Sequence, residues 1–309
     1  MIDFRYHIVS LTAVFLALAV GVVLGTTALK GPILTDLRGR VTGLADENRS
    51  LRKDLRVLKD QSGKQDSFAD EVAPALLANR LTGKTVAIVS GPGASTKALD
   101  VLVTDLGRAG SKIVSKVRLA NDFTDPRRSA EIKGLVSQLL PPGIQVPVSS
   151  DGPAQAGALL GAVLVHSAHE SVPPAARSAV LQGFQSLGLL AMDGEVTDSA
   201  DLALILVGNP VTGSQAKPRN ASNLSFVEQF DSYARATVVA GSTTDGAGNV
   251  IAAIRNDGTL ARTVSTVDDL DLAAGQVAVV LALADEIRGR SGQYGIGVGA
   301  TARVPTLTP

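Results

Sequence analysis

The chain begins with a long run of apolar residues that contains no charged side chain. The run covers residues 8–29, which are 22 positions, with Arg5 and His7 before it and Lys30 after it. At about 1.5 Å of rise per residue, a helix of this length crosses roughly 30 Å of hydrocarbon. The pattern therefore predicts that residues 1–30 form a membrane anchor with a single transmembrane helix.

Small residues recur at every fourth position within this run. Ala13, Ala17, Gly21 and Gly25 form a stripe that lets two helix backbones approach closely, as in GxxxG helix pairs. We predict that Ala17, Gly21 and Gly25 contribute to a dimer interface. The alternative is that they face lipid, because glycine and alanine are also common fillers of lipid-facing positions.

The sequences on either side of the apolar run indicate how the run is oriented in the membrane and whether it is cleaved. A short amino-terminal tail before the run and a long domain after it are typical of a signal anchor. This layout predicts a single-pass protein of the cell membrane, with the carboxyl-terminal domain outside the cytoplasm. The alternative is a cleaved signal peptide, because Thr26 and Ala28 are small residues near a suitable cleavage position. Cleavage would leave the protein in the cell envelope or the outer membrane.

A seven-residue repeat of leucines, flanked by charges, follows the apolar run. Glu47 precedes Arg52, and Asp54 precedes Lys59, by the spacing of g and e′ partners in a parallel two-stranded coiled coil. A lone asparagine at an a position, Asn48, fixes register and favours dimers. Residues 31–62 are therefore predicted to form a parallel homodimeric coiled coil. We assign its dimer contacts to Leu37, Leu44, Asn48, Leu51, Leu55 and Leu58.

The alternative to the coiled coil is an amphipathic helix that packs on its own domain. Gly31 and Pro32 lie between the apolar run and the heptads, and we expect the helix to break there. The heptads from Leu34 to Leu58 would form a rod roughly 35 to 40 Å long at 1.5 Å per residue. A short helix over residues 68–81, interrupted at Pro74, is predicted after them.

Continuous apolar strands alternate with helices over residues 63–290. Such strands are buried on both faces, which predicts an α/β domain of Rossmann-like type with a mostly parallel sheet. Residues 141–157 and 209–223 are predicted loops, and residues 291–309 a flexible carboxyl-terminal tail. The predicted strands are 85–90, 113–119, 162–165, 202–207 and 237–240, and the predicted helices are 96–106, 127–140, 175–186, 224–234 and 272–287.

One loop after a predicted strand has the composition of an anion-binding turn. The sequence SGPGAST follows strand 85–90 and begins a helix, where backbone amides and the helix dipole attract an anion. The residues assigned to this site are Gly91, Gly93, Ser95 and Thr96. The loop lacks the Walker lysine and a full G-x-G-x-x-G, so an ordinary turn is the alternative. The loop AGSTTDGAG, residues 240–248, also follows a predicted strand and has the same two interpretations, an anion-binding turn or an ordinary turn.

The sequence VHSAHE contains the best candidates for metal ligands. It places His166 and His169 three residues apart with Glu170 beside them, and imidazole and carboxylate suit Cu(II) or Zn. A capping or surface role is the alternative, because the third histidine of the chain, His7, lies at the predicted membrane end. Copper(I) prefers sulfur ligands, and the chain has no cysteine and only Met1 and Met192.

Composition excludes several classes of function. The chain has 29 basic and 29 acidic residues, so no net field favours nucleic acid. The 45% of hydrophobic residues suffices for a folded core, and the 3% of aromatic residues argues against a membrane barrel. There is no cysteine nucleophile and no G-x-S-x-G turn, and Asp193, Glu195 and Asp198 are typical of a solvated acidic loop. We therefore predict a protein that is not an enzyme.

The segment HIVSLTAVFLALAVGVVLG (residues 7–25), the following heptads and the cysteine-free α/β body together resemble the MctB family of actinobacterial envelope proteins. The resemblance spans essentially the whole chain and is most specific over residues 7–25. It implies a role in copper export or tolerance, with copper as the ligand. Members of the same family also resemble the membrane partner of a cell-division factor. This second resemblance implies a role in controlling a peptidoglycan hydrolase at the septum.

The residues themselves leave three functions open. One uncharged span offers no lining for an ion path, and no copper ligand of the family matches a position here. A noncatalytic scaffold that binds a cell-wall hydrolase or division protein is the alternative to copper transport. A third hypothesis is an enzyme that binds a nucleotide or sugar phosphate at Gly91 and Gly93.

Overall fold

The computed structural model describes residues 4–148, 151–166, 172–234 and 236–307. The chain divides into two compact units, residues 1–64 and residues 65–309. The fold is mixed α/β with a mostly parallel sheet. Its assignment as Rossmann-like, and the finer division at residues 30 and 62, stay predictions.

The first helix, α1, is longer than the sequence pattern predicts. It runs from Phe4 to Leu77 and includes Gly31, Pro32 and Pro74. The predicted break at residues 31–32 and the predicted interruption at Pro74 are therefore wrong. A proline removes one backbone donor at a cost of about 3 kcal/mol, which a helix with many further hydrogen bonds on both sides can sustain.

The second unit contains a seven-stranded sheet in the order β3-β2-β1-β4-β5-β6-β7. Each neighbouring pair is parallel except β2 and β3, which are antiparallel. The strands are β1 (Thr85–Ser90), β2 (Lys112–Leu119), β3 (Leu190–Met192), β4 (Leu202–Leu206), β5 (Thr237–Ala240), β6 (Val264–Val267) and β7 (Gln293–Tyr294).

Helices cover both faces of this sheet, because successive residues of a buried strand point to opposite sides. Ala87 and Val89 of β1 face one hydrophobic cluster, and Val86 and Ile88 face the other. The first cluster contains α3 (Ser129–Leu139), α4 (Gly152–Leu164), α5 (Pro174–Ser186), α6 (Ala216–Ala234) and α7 (Val250–Asn256), and the second contains α2 (Thr96–Arg108), α8 (Ala273–Glu286) and the end of α1.

Helix α4 corrects one of the predicted strands. Residues 162–164 form the end of this helix, and Val165 makes a single bridge to Ala200. All thirteen residues of α4 are buried, so the helix is apolar on every side and has no 3.6-residue pattern to distinguish it from a strand. The helix begins at Gly152, inside the predicted loop 141–157, where Asp151 accepts a hydrogen bond from the Ala154 amide (3.0 Å).

Two further predictions differ from the structure. Helix α6 begins at Ala216, inside the predicted loop 209–223. Strand β7 lies in the predicted tail, where Gly295 N donates to Ala302 O (3.0 Å) and Thr301 N donates to Gln293 O (2.7 Å). Residues 293–302 are therefore held to the sheet by backbone hydrogen bonds, which the glycine-rich composition of the segment does not indicate.

Candidate functional site

A cleft in the second unit lies at the carboxyl ends of β1 and β2. It has a volume of about 490 Å³, within the range of small-molecule sites. The order of the strands changes direction at β1: the next strand in the chain, β2, lies on one side of β1, and β4 lies on the other side. Ligands of open parallel sheets commonly bind outside the carboxyl ends of strands near such a reversal.

The predicted anion loop forms one wall of this cleft. Gly91, Gly93, Ser95 and Thr96 all line it, so the structure brings the four predicted residues together. Gly91 N donates to Leu206 O (2.8 Å), which ties the loop to β4. Gly93 has a φ of +73°, a left-handed conformation that glycine adopts without strain.

Helix α2 begins at this wall with a side-chain cap. Ser95 Oγ accepts a hydrogen bond from the Ala98 amide (3.2 Å), and the first intrahelical bond runs from Leu99 N to Ser95 O (3.1 Å). The amides of Thr96 and Lys97 precede that bond and point out of the helix end. The first turn contains no acidic residue, so its positive dipole end is not neutralised from within the helix.

The cleft is also lined by charged and polar side chains that the sequence analysis did not assign to the site. Arg118, at the end of β2, forms an ion pair with Asp193 (2.8 Å), and both side chains are partly exposed. Asn121 also lines the cleft. Ser90, the last residue of β1, lines the cleft although only 7% of its surface is exposed. The composition of the loop alone could not identify these residues, because strand pairing brings them together.

A smaller cavity of about 60 Å³ adjoins the cleft and shares Gly91, Pro92 and Asn121 with it. Arg219 lines this cavity and donates to Asp125 (2.9 Å). Asp125 also accepts hydrogen bonds from Arg127, which hold the pKa of the Asp125 carboxyl well below its usual range. Asp125 is therefore ionised at neutral pH and acts as a structural acceptor.

The predicted metal ligands are only partly described. His166 is exposed, and its amide donates to Ala200 O (2.8 Å). The carboxylate of Asp198 lies near His166. A hydrogen bond from the Ser199 amide lowers the pKa of Asp198, and the charges of Arg177 and His166 lower it further by smaller amounts. His169 and Glu170 lie outside the described residues. Among the described residues, no group of three or more His, Cys, Asp or Glu side chains is placed to hold a metal ion.

The sequence analysis did not identify a cleft that is lined by two buried carboxyl groups. Asp231 and Glu286 are both buried and line a cleft of about 410 Å³ near the starts of β5 and β6. Burial raises the pKa of Glu286 to about 7 and also raises the pKa of Asp231. Ser265 donates to Glu286 through its amide (3.1 Å) and its hydroxyl (2.6 Å). The two carboxylates are 55 residues apart in the chain, so no local motif marks them.

The predicted dimer residues lie in the first unit. Tyr6–Gly25 is long and apolar enough to cross a membrane, and the chain itself buries none of it. Gly21 and Gly25 have open space beside them. Asn48 of the heptads is exposed, and the described leucines at the assigned contacts are 55% to 65% exposed, namely Leu37, Leu44, Leu51, Leu55 and Leu58.

Comparison with known proteins gives one consistent family. The family described as "Copper transport outer membrane protein, MctB" matches residues 1–305. "Copper transporter MctB" of Mycobacterium tuberculosis (strain ATCC 25618 / H37Rv) is 31% identical over 309 residues, 97% of this chain and 98% of that protein. The Mycobacterium leprae (strain TN) protein of the same name is 31% identical over 315 residues, 98% of each chain. The similarity thus extends over nearly the full length of both relatives.

Proposed function

Because the chain belongs to the MctB family, we propose that it is a membrane-anchored protein that acts in copper export or copper tolerance. The observation that carries this proposal is the family match over residues 1–305, together with relatives that are named copper transporters. These names denote transporters, and we propose no catalytic activity for this chain. In this proposal copper is the transported ion, and the proposal does not depend on which residues bind it.

We further propose that the protein crosses the membrane once and that the second unit lies outside the cytoplasm. The exposed apolar stretch Tyr6–Gly25 supports a membrane-spanning role, because such a surface is stable in hydrocarbon and unfavourable in water. A helix without charged side chains offers no polar path for an ion. The proposed role in copper transport therefore depends on association with further chains.

The proposed first association is a parallel homodimer through the heptads. The row of exposed leucines from Leu37 to Leu58 supports it, because a stripe of large apolar side chains on a helix gains stability when a partner covers it. The exposed Asn48 at an a position favours two chains in one register. Ala17, Gly21 and Gly25 would continue the same pairing within the membrane.

The test is the copper content of a deletion strain grown under moderate copper stress, measured by elemental analysis beside its parent. We expect the deletion strain to accumulate copper and the wild-type gene to restore the parental level. Restoration by Leu51→Asp should fail, because this change places a charge at a d position of the heptads. Lys53→Asp is the matched control, since it introduces the same side chain at an outer position.

The outcomes separate the parts of the proposal. Unchanged copper content in the deletion strain would contradict the copper role. Full restoration by Leu51→Asp would contradict the requirement for a dimer while leaving the copper role in place. A third variant, His166→Ala, tests the exposed imidazole as a copper contact, and normal restoration by it would remove His166 from the proposal.

A further inference from the structure

We propose that the cleft at the carboxyl ends of β1 and β2 binds the phosphate group of a small phosphorylated molecule of the sugar-phosphate type. This activity is independent of the proposed copper role. Three features of the cleft carry the inference: the beginning of α2, the hydroxyl of the largely buried Ser90 and the guanidinium of Arg118. They come from two segments, residues 90–97 and the end of β2, and line one cleft.

The beginning of α2 supplies backbone donors and a positive dipole end. The Thr96 and Lys97 amides have no place in the intrahelical bonding pattern, which starts at Leu99 N. A dianionic phosphate accepts hydrogen bonds from such amides and is stabilised by the dipole. Helix α2 has thirteen residues, so its dipole is developed over several turns. Many helices share this property, and the other two features are what distinguish the cleft.

Ser90 is a buried polar side chain that lines the cleft without a bonding partner. It is 7% exposed and lies on the α2 side of β1, since Val86 and Ile88, at positions of the same parity, contact the α2 cluster. Among the described residues, no hydrogen bond is made by its hydroxyl. The hydroxyl oxygen is not among the fully buried atoms that lack a partner, so it is open to the cleft and available as a donor. A phosphate oxygen in the cleft would satisfy it.

Arg118, on the strand next to β1, supplies further N–H donors to the cleft. It uses one terminal nitrogen for Asp193 Oδ1 (2.8 Å), and a guanidinium has five N–H donors. The remaining donors are free to form a charge-assisted pair with a phosphate. Asp193 also lines the cleft and the pair is neutral as a whole, so Arg118 contributes directed N–H donors rather than a net charge. The β1–β2 register pairs Ser90 with Arg118, which places the two donors at the same level of the sheet.

The rest of the cleft indicates the remaining part of the ligand. A volume of about 490 Å³ is several times larger than one phosphate group needs, so the bound molecule has an additional body. Leu99, Leu119 and Leu190 contribute to the walls, and no aromatic ring is found among the described lining residues. Without a ring to stack on a base, the cleft favours a compact aliphatic or sugar body over a nucleotide.

The test is calorimetric titration of the full-length protein in detergent micelles, in Tris buffer at fixed salt. The probes are inorganic phosphate, glucose 6-phosphate and glucose. We expect saturable binding of both phosphate-bearing probes, tighter for glucose 6-phosphate, and no binding of glucose. Arg118→Ala and Ser90→Ala should each weaken glucose 6-phosphate by about tenfold or more, because hydrogen bonds to charged groups contribute at least that factor.

The matched control is Lys112→Ala, which removes an exposed positive charge from the opposite end of the same strand, β2. It should leave the dissociation constant unchanged. The proposal is overturned if neither phosphate-bearing probe binds saturably, or if Arg118→Ala and Ser90→Ala bind as tightly as Lys112→Ala. Binding of inorganic phosphate without glucose 6-phosphate would overturn the sugar-phosphate assignment. If Ser90→Ala does not fold, the exposed Arg118 variant alone decides the outcome.

Discussion

Arg255 and Asp268 form an ion pair in which both side chains are almost completely buried, at 2% and 1% exposed. Asp268 also accepts hydrogen bonds from the amides of Ile296 (2.8 Å) and Gly297 (2.9 Å), and Arg255 donates to Val298 O (3.0 Å). The pair therefore attaches the carboxyl-terminal segment to β6 and α7. A buried pair tolerates the loss of one partner poorly, because the other charge is left without compensation.

We predict that Asp268→Ala lowers the free energy of unfolding by about 3 to 5 kcal/mol, the cost of leaving a buried charge unpaired. Chemical denaturation followed by circular dichroism measures this change. The comparison is Arg118→Ala, which breaks an exposed ion pair worth about 1 kcal/mol or less. Equal losses for the two variants would contradict the structural role of the buried pair.

A second prediction concerns the close contact of α4 and α6. A Cβ atom at Gly157 would clash with the backbone oxygen of Phe226. Gly157→Ala should therefore lower the free energy of unfolding by about 1 to 3 kcal/mol, although alanine is the better helix former.

Gly134 is the control for this substitution. It lies within α3 with open space beside it. Gly134→Ala should raise stability by about 0.5 to 1 kcal/mol, because alanine has the higher helix propensity and no contact is disturbed. Thermal unfolding of both variants measures the two signs. A gain in stability for Gly157→Ala would show that the helices can separate without cost.

The third prediction follows from the raised pKa of Glu286, about 7 in the folded protein against an ordinary value of 4.5. The folded state holds this proton more tightly than the unfolded chain, so the contribution of the group to stability falls as pH rises from about 4.5 to 7. Glu286→Gln keeps an acceptor for Ser265 and carries no charge. We expect it to be more stable than wild type by about 1 to 3 kcal/mol at pH near 8.

The gain from Glu286→Gln should shrink as the pH is lowered and level off below pH of about 4.5, where the Glu286 carboxyl is protonated in both the folded and the unfolded protein. Asp231 lines the same cleft, and its charge contributes to the raised pKa of Glu286. Denaturant unfolding over a pH series measures the difference. A pH-independent difference would contradict the raised pKa.

The fourth prediction uses the absence of cysteine from the chain. In a parallel coiled coil in register, each d residue faces its counterpart in the other helix. Leu51→Cys should therefore form an intermolecular disulfide under mild oxidation in membranes, visible as a dimer on a nonreducing gel. Lys53→Cys, at an outer position, should yield little dimer. Equal dimer yields for the two variants would contradict the proposed register.

Strands made of a short apolar run could be predicted from the sequence, and strand β6 could not. Thr85–Ser90 and Thr237–Ala240 were predicted with the bounds the structure has, because each is a short apolar run beside turn residues. Strand β6 (Val264–Val267) was missed, because Ser265 and Thr266 interrupt the apolar run. Their hydroxyls bond to Glu286 (2.6 Å) and Gln293 (2.6 Å), partners distant in sequence.

The candidate cleft was predictable on one wall only. Gly91, Gly93, Ser95 and Thr96 belong to one continuous turn between a strand and a helix, so local composition identifies them. Their neighbours Arg118 and Asp193 depend on the parallel register of β1 with β2 and on the antiparallel pairing of β2 with β3. Register of this kind is set by packing of the whole sheet, which no short stretch of the chain encodes.

The two outermost strands of the sheet have a bearing on aggregation. An exposed strand edge is a template on which another chain can add a strand, and short edges limit this addition. Here β3 has three residues and β7 has two, and Ala302 pairs with Tyr294 beside β7. Another molecule therefore meets few free backbone groups at either edge of the sheet, which limits the addition of a further strand from a second chain.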